Sequence, residues 1–382
     1  MSRENDDLMQ ETVTEKTVRP GFQRPESQDF YHVARQRVQR YFEETGQSTY
    51  GNAKMTRKAI FLFSLFVLSY VSFYLPINPW VLLLIAGCNG FLTALLGFNI
   101  AHDAVHGSFS PKSWVNKMLG LVFNIVGAND FMWRIKHNII HHTYTNVPGH
   151  DDDIMQIKIL RMEPHKELMK IHRFQYIYAF LLYPLATLSW VFIRDYVNFF
   201  RQDFQSAAGR KHPVREFIRL LGYKILYYAL FIVLPIMYIS LPWYAIAAGF
   251  VFMHMVEGLV LSIVFQLAHV VEKAQFPIPG DENELTRSWA VHQMYTTADF
   301  ATGSKLVTFL VGGLNFQVEH HLFPKVCHIH YPQIAPIIKA TAEEFNLPYN
   351  EYGSLGAALR SHVQTLWDFG HEMVPETARV RS

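Results

Sequence analysis

Long apolar runs alternate with polar, histidine-bearing stretches along this chain. Residues 59–77 are apolar nearly throughout, and Asn78-Pro79 ends the run. Residues 80–100 form a second run. A helix rises about 1.5 Å per residue, so roughly 20 residues cross a bilayer core. Each run is therefore long enough to span, and the short break predicts a hairpin that returns the chain to the side it left. Residues 223–240 and 243–265, turned at Leu241-Pro242, predict a second hairpin, with Pro235 as a kink in its first arm.

The remaining apolar stretches fit less simply. Residues 118–128 are too short to span and predict an interfacial or re-entrant piece. Residues 175–193 are long enough. If they crossed, Arg194, Arg201, Arg210, Lys211, Arg215 and Arg219 would lie outside, and the last histidines would face away from the first. An in-plane or partly inserted helix is expected there. Phe30, Ala34, Val38 and Phe42 recur at spacings of four, with Tyr41 beside them and Arg35, Arg37 and Arg40 mostly off the stripe. That pattern predicts an amphipathic helix on the membrane surface. Lys54, Arg57 and Lys58 precede the first run and place that end in the cytosol. Residues 332–346 predict another amphipathic helix. Residues 1–27 have few apolar anchors and no signal-peptide core, so a disordered cytosolic tail is expected. The domain reading is this tail, one membrane domain over 28–352, and a helical tail over 353–382.

Length alone would allow two or three soluble domains in 382 residues. Composition argues otherwise: half the residues are hydrophobic and only 17% are charged. A net charge of +2 supplies no field for binding nucleic acid. Cys88 and Cys327 show no paired spacing, which excludes a disulfide framework and a thiolate metal site.

Histidine changes the picture through its placement. Three groups stand out: HDAVH at His102–His106, HNIIHH at His137–His142 and QVEHH at Gln317–His321. His102 and His106 share a helix face, and His137 and His141 repeat the spacing. His142 adds a further ligand direction, and His320 and His321 are adjacent. Imidazole is a common ligand for iron, zinc and copper. One ion needs three or four protein ligands, so these seven histidines suit two ions. His150, His165, His172, His212 and His362 stand alone and are read as satisfied by water or backbone. His254 and Glu257, within the last span, are expensive at that depth and are expected to bond to each other in the bundle or near a tunnel. His292 is read as a surface or structural residue.

The order HDAVH, HNIIHH, QVEHH resembles the membrane-bound fatty acid desaturases, from about Thr56 to Tyr352. Gln317 and the following EHHLFP resemble the front-end and related acyl-lipid or acyl-CoA branch. The resemblance implies two non-haem iron ions held by His102, His106, His137, His141, His142, His320 and His321, with His269 of FQLAH at the end of the fourth span. Gln317 stands where other branches carry histidine, and is expected to bind weakly or to orient a ligand or water. Asp103, Glu319 and Asp130 are candidates to fix histidine tautomers. The implied fold is an all-α integral membrane protein. Four transmembrane helices in two hairpins, with interfacial helices, carry a cytosolic helical cap around the site, and both termini are cytosolic.

The implied activity is O2-dependent insertion of a double bond into an acyl-CoA or acyl-lipid, delta-6-like. The His-Pro-Gly-Gly motif of a fused cytochrome b5 domain does not occur; His212-Pro213 is followed by Val214. Electrons are then expected from ferredoxin or free cytochrome b5. The basic stretch 210–219 is a docking face, a topology signal or a lipid contact. An acyl hydroxylase on the same scaffold is the alternative. A membrane metal transporter or sensor is more distant, because only His254 among the histidines falls within a span.

Overall fold

The computed structural model describes residues 19–25, 29–154, 157–207, 209 and 211–373, and these are mostly helical. Asp29 accepts the backbone N–H of His32 and starts α1, Phe30–Thr45; Gly46, at φ 62°, ends it. The stripe Phe30, Ala34, Val38 and Phe42 is buried. Its partner is protein rather than lipid, with Ile334 and Ile338 of the helix Tyr331–Glu344 in the same apolar cluster. Arg37 clasps that helix through two bonds of 2.7 Å to Glu344. An amphipathic pattern says that one face is buried, and a bilayer and a second helix satisfy it equally.

The side chains of Asn52 and Asn78 cap α2 (Ala53–Tyr74) and α3 (Pro79–His106), with Pro79 in the first turn of α3. Both helices outrun the expected 59–77 and 80–100. Lys54, Arg57 and Lys58 form the first turns of α2, because the Asn52 cap sets the helix start while the apolar run marks only its lipid-facing part. Beyond α3 come α4 (Ser113–Gly120) and a helical stretch, α5, at residues 130–144. Then follow α6 (Lys170–Phe200), α7 (Val214–Tyr238) and α8 (Trp243–His269). α7 begins well before the expected 223, and α8 carries on past 265 to His269.

Five helices, α2, α3, α6, α7 and α8, are therefore long and apolar enough to cross a membrane, where four were expected. The added one is α6. It bends at a tight turn around Pro184 and loosens again at Trp190–Arg194. Near its start Gln175 donates to the Leu366 carbonyl at 2.7 Å. Midway, Thr187 donates to the His254 carbonyl at 3.0 Å. Near its end the Phe199 carbonyl accepts from His212 at 2.9 Å.

The bundle centre is the α3–α8 contact. Gly90 lies so close to α8 that an added Cβ would collide with the Met253 carbonyl oxygen. The Gly90→Ala variant is expected to destabilise the fold by about 1–3 kcal/mol, read as a lower melting temperature in detergent. An unchanged melting temperature would mean that the two helices separate freely. Outward, Ile60, Phe61, Leu68, Leu84 and Ile225 are exposed. Trp80, Trp243, Tyr238 and Tyr244 are exposed near the far turns, as at a membrane–water boundary.

Four further helices form a cap: α9 (Trp289–Thr296), α10 (Gln317–Leu322), α11 (Tyr331–Glu344) and α12 (Leu355–Gly370). Two short parallel pairings tie it together, Gly21–Phe22 with Glu284–Leu285 and Asp299–Phe300 with Glu351–Tyr352. Of the tail expected to be disordered over 1–27, residues 1–18 and 26–27 lie outside the described residues, and Gly21–Phe22 pair as stated. Residues 374–382 also lie outside them.

Candidate metal centre

The HDAVH group ends α3. The helix widens to i→i+5 bonding at Gly97–Ala101, then tightens so that His102 and His106 lie along one face, their rings edge to face with centroids 4.7 Å apart. α5 widens in the same way over Arg134–His141. Such turns recur at functional sites; here the wider turn leaves His137, His141 and the following His142 all within reach of one centre. Trp133 stacks on His137 at 5.0 Å. His269 is the last residue of α8. His320 and His321, neighbours on α10, differ by about 100° around the helix.

All eight histidines converge, and they fall into two groups. His102, His106, His137 and His320 form the first; His141, His269 and His321 form the second. In each group the potential ligand atoms lie within 4.8 Å of one another. His142, near both His320 and His321, joins the groups. The angular offset on α10 is what sends His320 to one and His321 to the other.

The contacts at the centre suit a shared cation. The Nε2 atoms of His102 and His137 are 3.1 Å apart, and those of His142 and His137 are 3.3 Å apart. A first-row metal such as zinc holds imidazole nitrogen at about 2.0–2.1 Å, so two ligands at right angles sit roughly 3 Å apart. The Nε2 atoms of His106, His141 and His320 are buried with no hydrogen-bond partner among the described residues. Outside the ring, Nδ1–H groups are engaged: His320 with the Tyr331 hydroxyl at 3.2 Å and His321 with Gln293 Oε1 at 2.8 Å. A proton on Nδ1 leaves the Nε2 lone pair free. Burial, together with neighbouring imidazoles, holds His137, His142, His320 and His321 well below the ordinary histidine pKa, so they are neutral donors. His141 is the exception. Burial pushes its pKa down, but Asp151, paired and hydrogen-bonded to it, and Asp153 outweigh that and raise it.

The expected supporting residues divide. Gln317 lies inside the ring, its Nε2 donating to His269 Nε2 at 2.9 Å and 3.3 Å from His321 Nε2. Asp103 turns away from the ring. It accepts from Cys327 Sγ at 3.0 Å and His328 Nδ1 at 2.8 Å, and its nearest approach to His102 Nδ1 is 4.0 Å. Glu319 accepts from the Tyr349 hydroxyl at 2.8 Å, which also donates to Asp299. Asp130 accepts from Asn124 at 2.8 Å. Adjacency in sequence to a ligand histidine puts Asp103 and Glu319 on other helix faces.

The carboxylate that does hold a ring histidine is Asp151, 3.0 Å from His141 Nδ1. Asp151, Gln293 and Tyr331 were not singled out from the sequence. The signal for Asp151 was the acidic GHDDDIM loop that follows the second histidine group. His254 lies 3.2 Å from Glu257, as expected, and also meets the Tyr227 hydroxyl at 2.8 Å. His292 is fully buried rather than superficial, and bonds the Thr145 carbonyl at 2.8 Å.

A cavity runs from His102, His137 and Gln317 between α3, α6 and α8. Its walls include Phe98, Phe123, Val126, Val191, Leu261, Phe265 and Leu314. Lys136, Asp153, Arg194 and Asn198 line one part, and Thr93, Thr187 and Glu257 another. Lys136 pairs with Asp153. Glu257 is twelve residues before His269 on α8, roughly 18 Å along the axis. The lining is thus a long apolar slot that starts at the histidine ring.

Comparison with known proteins agrees with this geometry. The family model described as "Fatty acid desaturase" matches residues 51–353. The chain is 37% identical over 349 residues to an sn-1 linoleoyl-lipid 6-desaturase of Synechocystis sp., covering 89% of this chain and 95% of that one. It is 34% identical over 346 residues to an sn-1 linoleoyl-lipid 6-desaturase of Arthrospira platensis, covering 90% and 93%. An acyl-lipid (8-3)-desaturase of Physcomitrium patens is 35% identical over 90% of this chain and 72% of its own. The histidine ring, the apolar helices around it and these matches place the chain in the fatty acid desaturase family.

Proposed function

We propose that this desaturase holds two iron ions in its histidine ring and acts on lipid-linked, linoleoyl-type chains. The new double bond would lie between an existing one and the carboxyl end, at a delta-6-like position. The observation that carries this reading is the convergence of His102, His106, His137, His141, His142, His269, His320 and His321 at the head of an apolar cavity. His102, His106, His137 and His320 would hold one ion, and His141, His269 and His321 with Gln317 the other, with His142 between them. The relatives' names supply the substrate and position.

Bound there, iron would supply O2-dependent oxidation: one hydrogen would leave each of two neighbouring methylenes, and with two electrons from an external donor and two protons both oxygen atoms would end as water. The chain's own residues do the rest. Phe98, Phe123, Val126, Leu261 and Leu314 take the acyl chain and exclude water from the slot. Lys136, Arg194 and Asn198 stand where polar head-group atoms can be met. Trp133, stacked between His137 and Trp190 at 5.0 Å from each, stiffens the ring's position. Neutral imidazoles leave the cations their full charge, which favours oxidation. Ferredoxin or cytochrome b5 would be the donor.

The topology of this reading has four crossings. His106 ends α3 and His269 ends α8, and both lie in one ring. The chain between them must therefore cross an even number of times. α7 and α8 form a hairpin through the turn at 239–242, so α6 enters and leaves on the metal side. Its contacts trace a dip. Thr187 reaches His254, fifteen residues or roughly 22 Å below His269, and Phe199 is back beside His212 ahead of α7. With Lys54, Arg57 and Lys58 at the start of α2, the ring and both termini face the cytosol.

Expression in a host with a defined fatty acid pool tests the function. A two-hydrogen-poorer C18 product with the new bond on the carboxyl side is expected. An oxygenated product of unchanged saturation would make the protein a hydroxylase instead.

A further inference from the structure

Desaturation as proposed takes two electrons from an external carrier, and they have to reach the histidine ring. Most of the ring's outward bonds end inside the protein. Tyr331, Gln293, Asp151 and Thr296, which bond His320, His321, His141 and His269, are all buried. Trp133, stacked on His137, is half-buried but lines the acyl slot.

The ring nears the surface at its His106–His142 edge. His106 is the one ring histidine that is only half-buried. His142 is buried, but its carbonyl accepts the indole N–H of Trp289 at 2.8 Å. Trp289, in the first turn of α9, is itself half-buried. His142 is also the residue near both His320 and His321. Electrons cross hydrogen bonds and covalent bonds far more readily than gaps. Trp289 thus links the surface, through one hydrogen bond and the frame of a single residue, to the histidine that joins the two groups.

The surroundings of Trp289 favour a negatively charged visitor. Tyr31, also half-buried, meets Trp289 edge to face at 5.5 Å and Phe323 at 5.8 Å. The exposed Arg35 stands near Tyr31, and Asp29 beside it is engaged as the cap of α1. Arg134 donates to the carbonyl of Val105, next to His106, at 3.2 Å. The basic stretch 210–219 is less suited. Arg215 and Arg219 there pair with Glu216, and Arg219 also with Asp130.

We infer that an acidic one-electron carrier protein docks over Trp289 and Arg35, and that its electrons enter the ring through Trp289 and His142. This rests on the desaturase reading. Each encounter oxidises the carrier by one electron and reduces the metal centre by one. No bond forms or breaks at Trp289, and two encounters supply the pair that the reaction uses.

The test uses the full, iron-loaded chain in detergent without oxygen, so that reduction of the metal is read alone. A reduced [2Fe–2S] ferredoxin and, separately, reduced soluble cytochrome b5 are the probes, and their oxidation is followed by absorbance. Trp289→Phe keeps a ring against Tyr31 and removes the N–H. It is expected to slow carrier oxidation about tenfold, the low end for an outer partner of a metal ligand. Dithionite, small enough to enter by other routes, should reduce the metal as in wild type. Arg35→Glu is expected to weaken carrier binding to the iron-free chain about three- to tenfold at low salt, and less at high salt. Unchanged carrier oxidation in Trp289→Phe, an equal slowing with dithionite, or unchanged binding in Arg35→Glu overturns the inference. So does a wild type that accepts neither carrier. A wild type that makes no desaturated lipid in cells would overturn the desaturase reading instead.

Discussion

Replacing His141 by alanine is expected to abolish desaturation, by more than about 100-fold, and to lower the iron bound per chain. His141 Nε2 is buried and has no hydrogen-bond partner among the described residues, while its Nδ1 is held by Asp151. It belongs to a group of only three histidines, His141, His269 and His321. Without it two imidazoles of that group remain, His269 and His321, fewer ligands than a stable site takes. Loss of an outer partner of a metal ligand typically gives a 10–100-fold deficit, so loss of the ligand itself should exceed that. The side chain meets α8 at Phe265 and His269, twelve or more residues along that helix from the close approach of Gly90 to Met253, so the variant should insert in the membrane as wild type does. Product analysis, elemental analysis for iron and membrane fractionation read the three outcomes together. Normal turnover with full iron would remove His141 from the metal ring.

Asp151→Asn should give the second-largest effect, about 10–100-fold in metal affinity or activity. The carboxylate accepts on every side. His141 Nδ1 and the backbone N–H of Asn146 meet Oδ2 at 3.0 and 2.9 Å, and the backbone N–H of Asp153 meets Oδ1 at 3.0 Å. An asparagine there must turn its NH2 toward one of these donors. It also loses the charge that favours the Nδ1–H tautomer of His141, and with it the free lone pair on Nε2. Asp151 is fully buried, so solvent does not repair the mismatch. Activity measured against added iron separates the cases. A deficit that shrinks as iron rises is expected from a weakened site, whereas one independent of iron would mean that the carboxylate does not act through His141.

The histidine groups were legible because their chemistry is written in local spacing. His102 and His106, or His137 and His141, meet on one helix face wherever the helix sits. The helix starts at Asp29, Asn52 and Asn78 were written equally locally, in side chains that bond the first amides of their own helices. The second partners were not. Asp103 and Glu319 looked suitable because they adjoin ligand histidines, yet each bonds a distant partner, His328 and Tyr349. Asp151 lies ten residues from His141 and reaches it only because the loop folds back.

By itself the sequence determined which segments form long apolar helices and which histidines could ligate metal. These follow from periodicity, capping and length, all short-range properties of the chain. Tertiary structure alone decided the division of the histidines into two groups, since that depends on how α3, α5, α8 and α10 meet. It decided that the stripe of α1 packs on α11 and not on lipid, because an apolar face does not name its partner. It also decided the course of α6. Composition makes α6 long and apolar, while bonds from Gln175 to Leu366, Thr187 to His254 and His212 to Phe199 fix which parts of the chain it lies against.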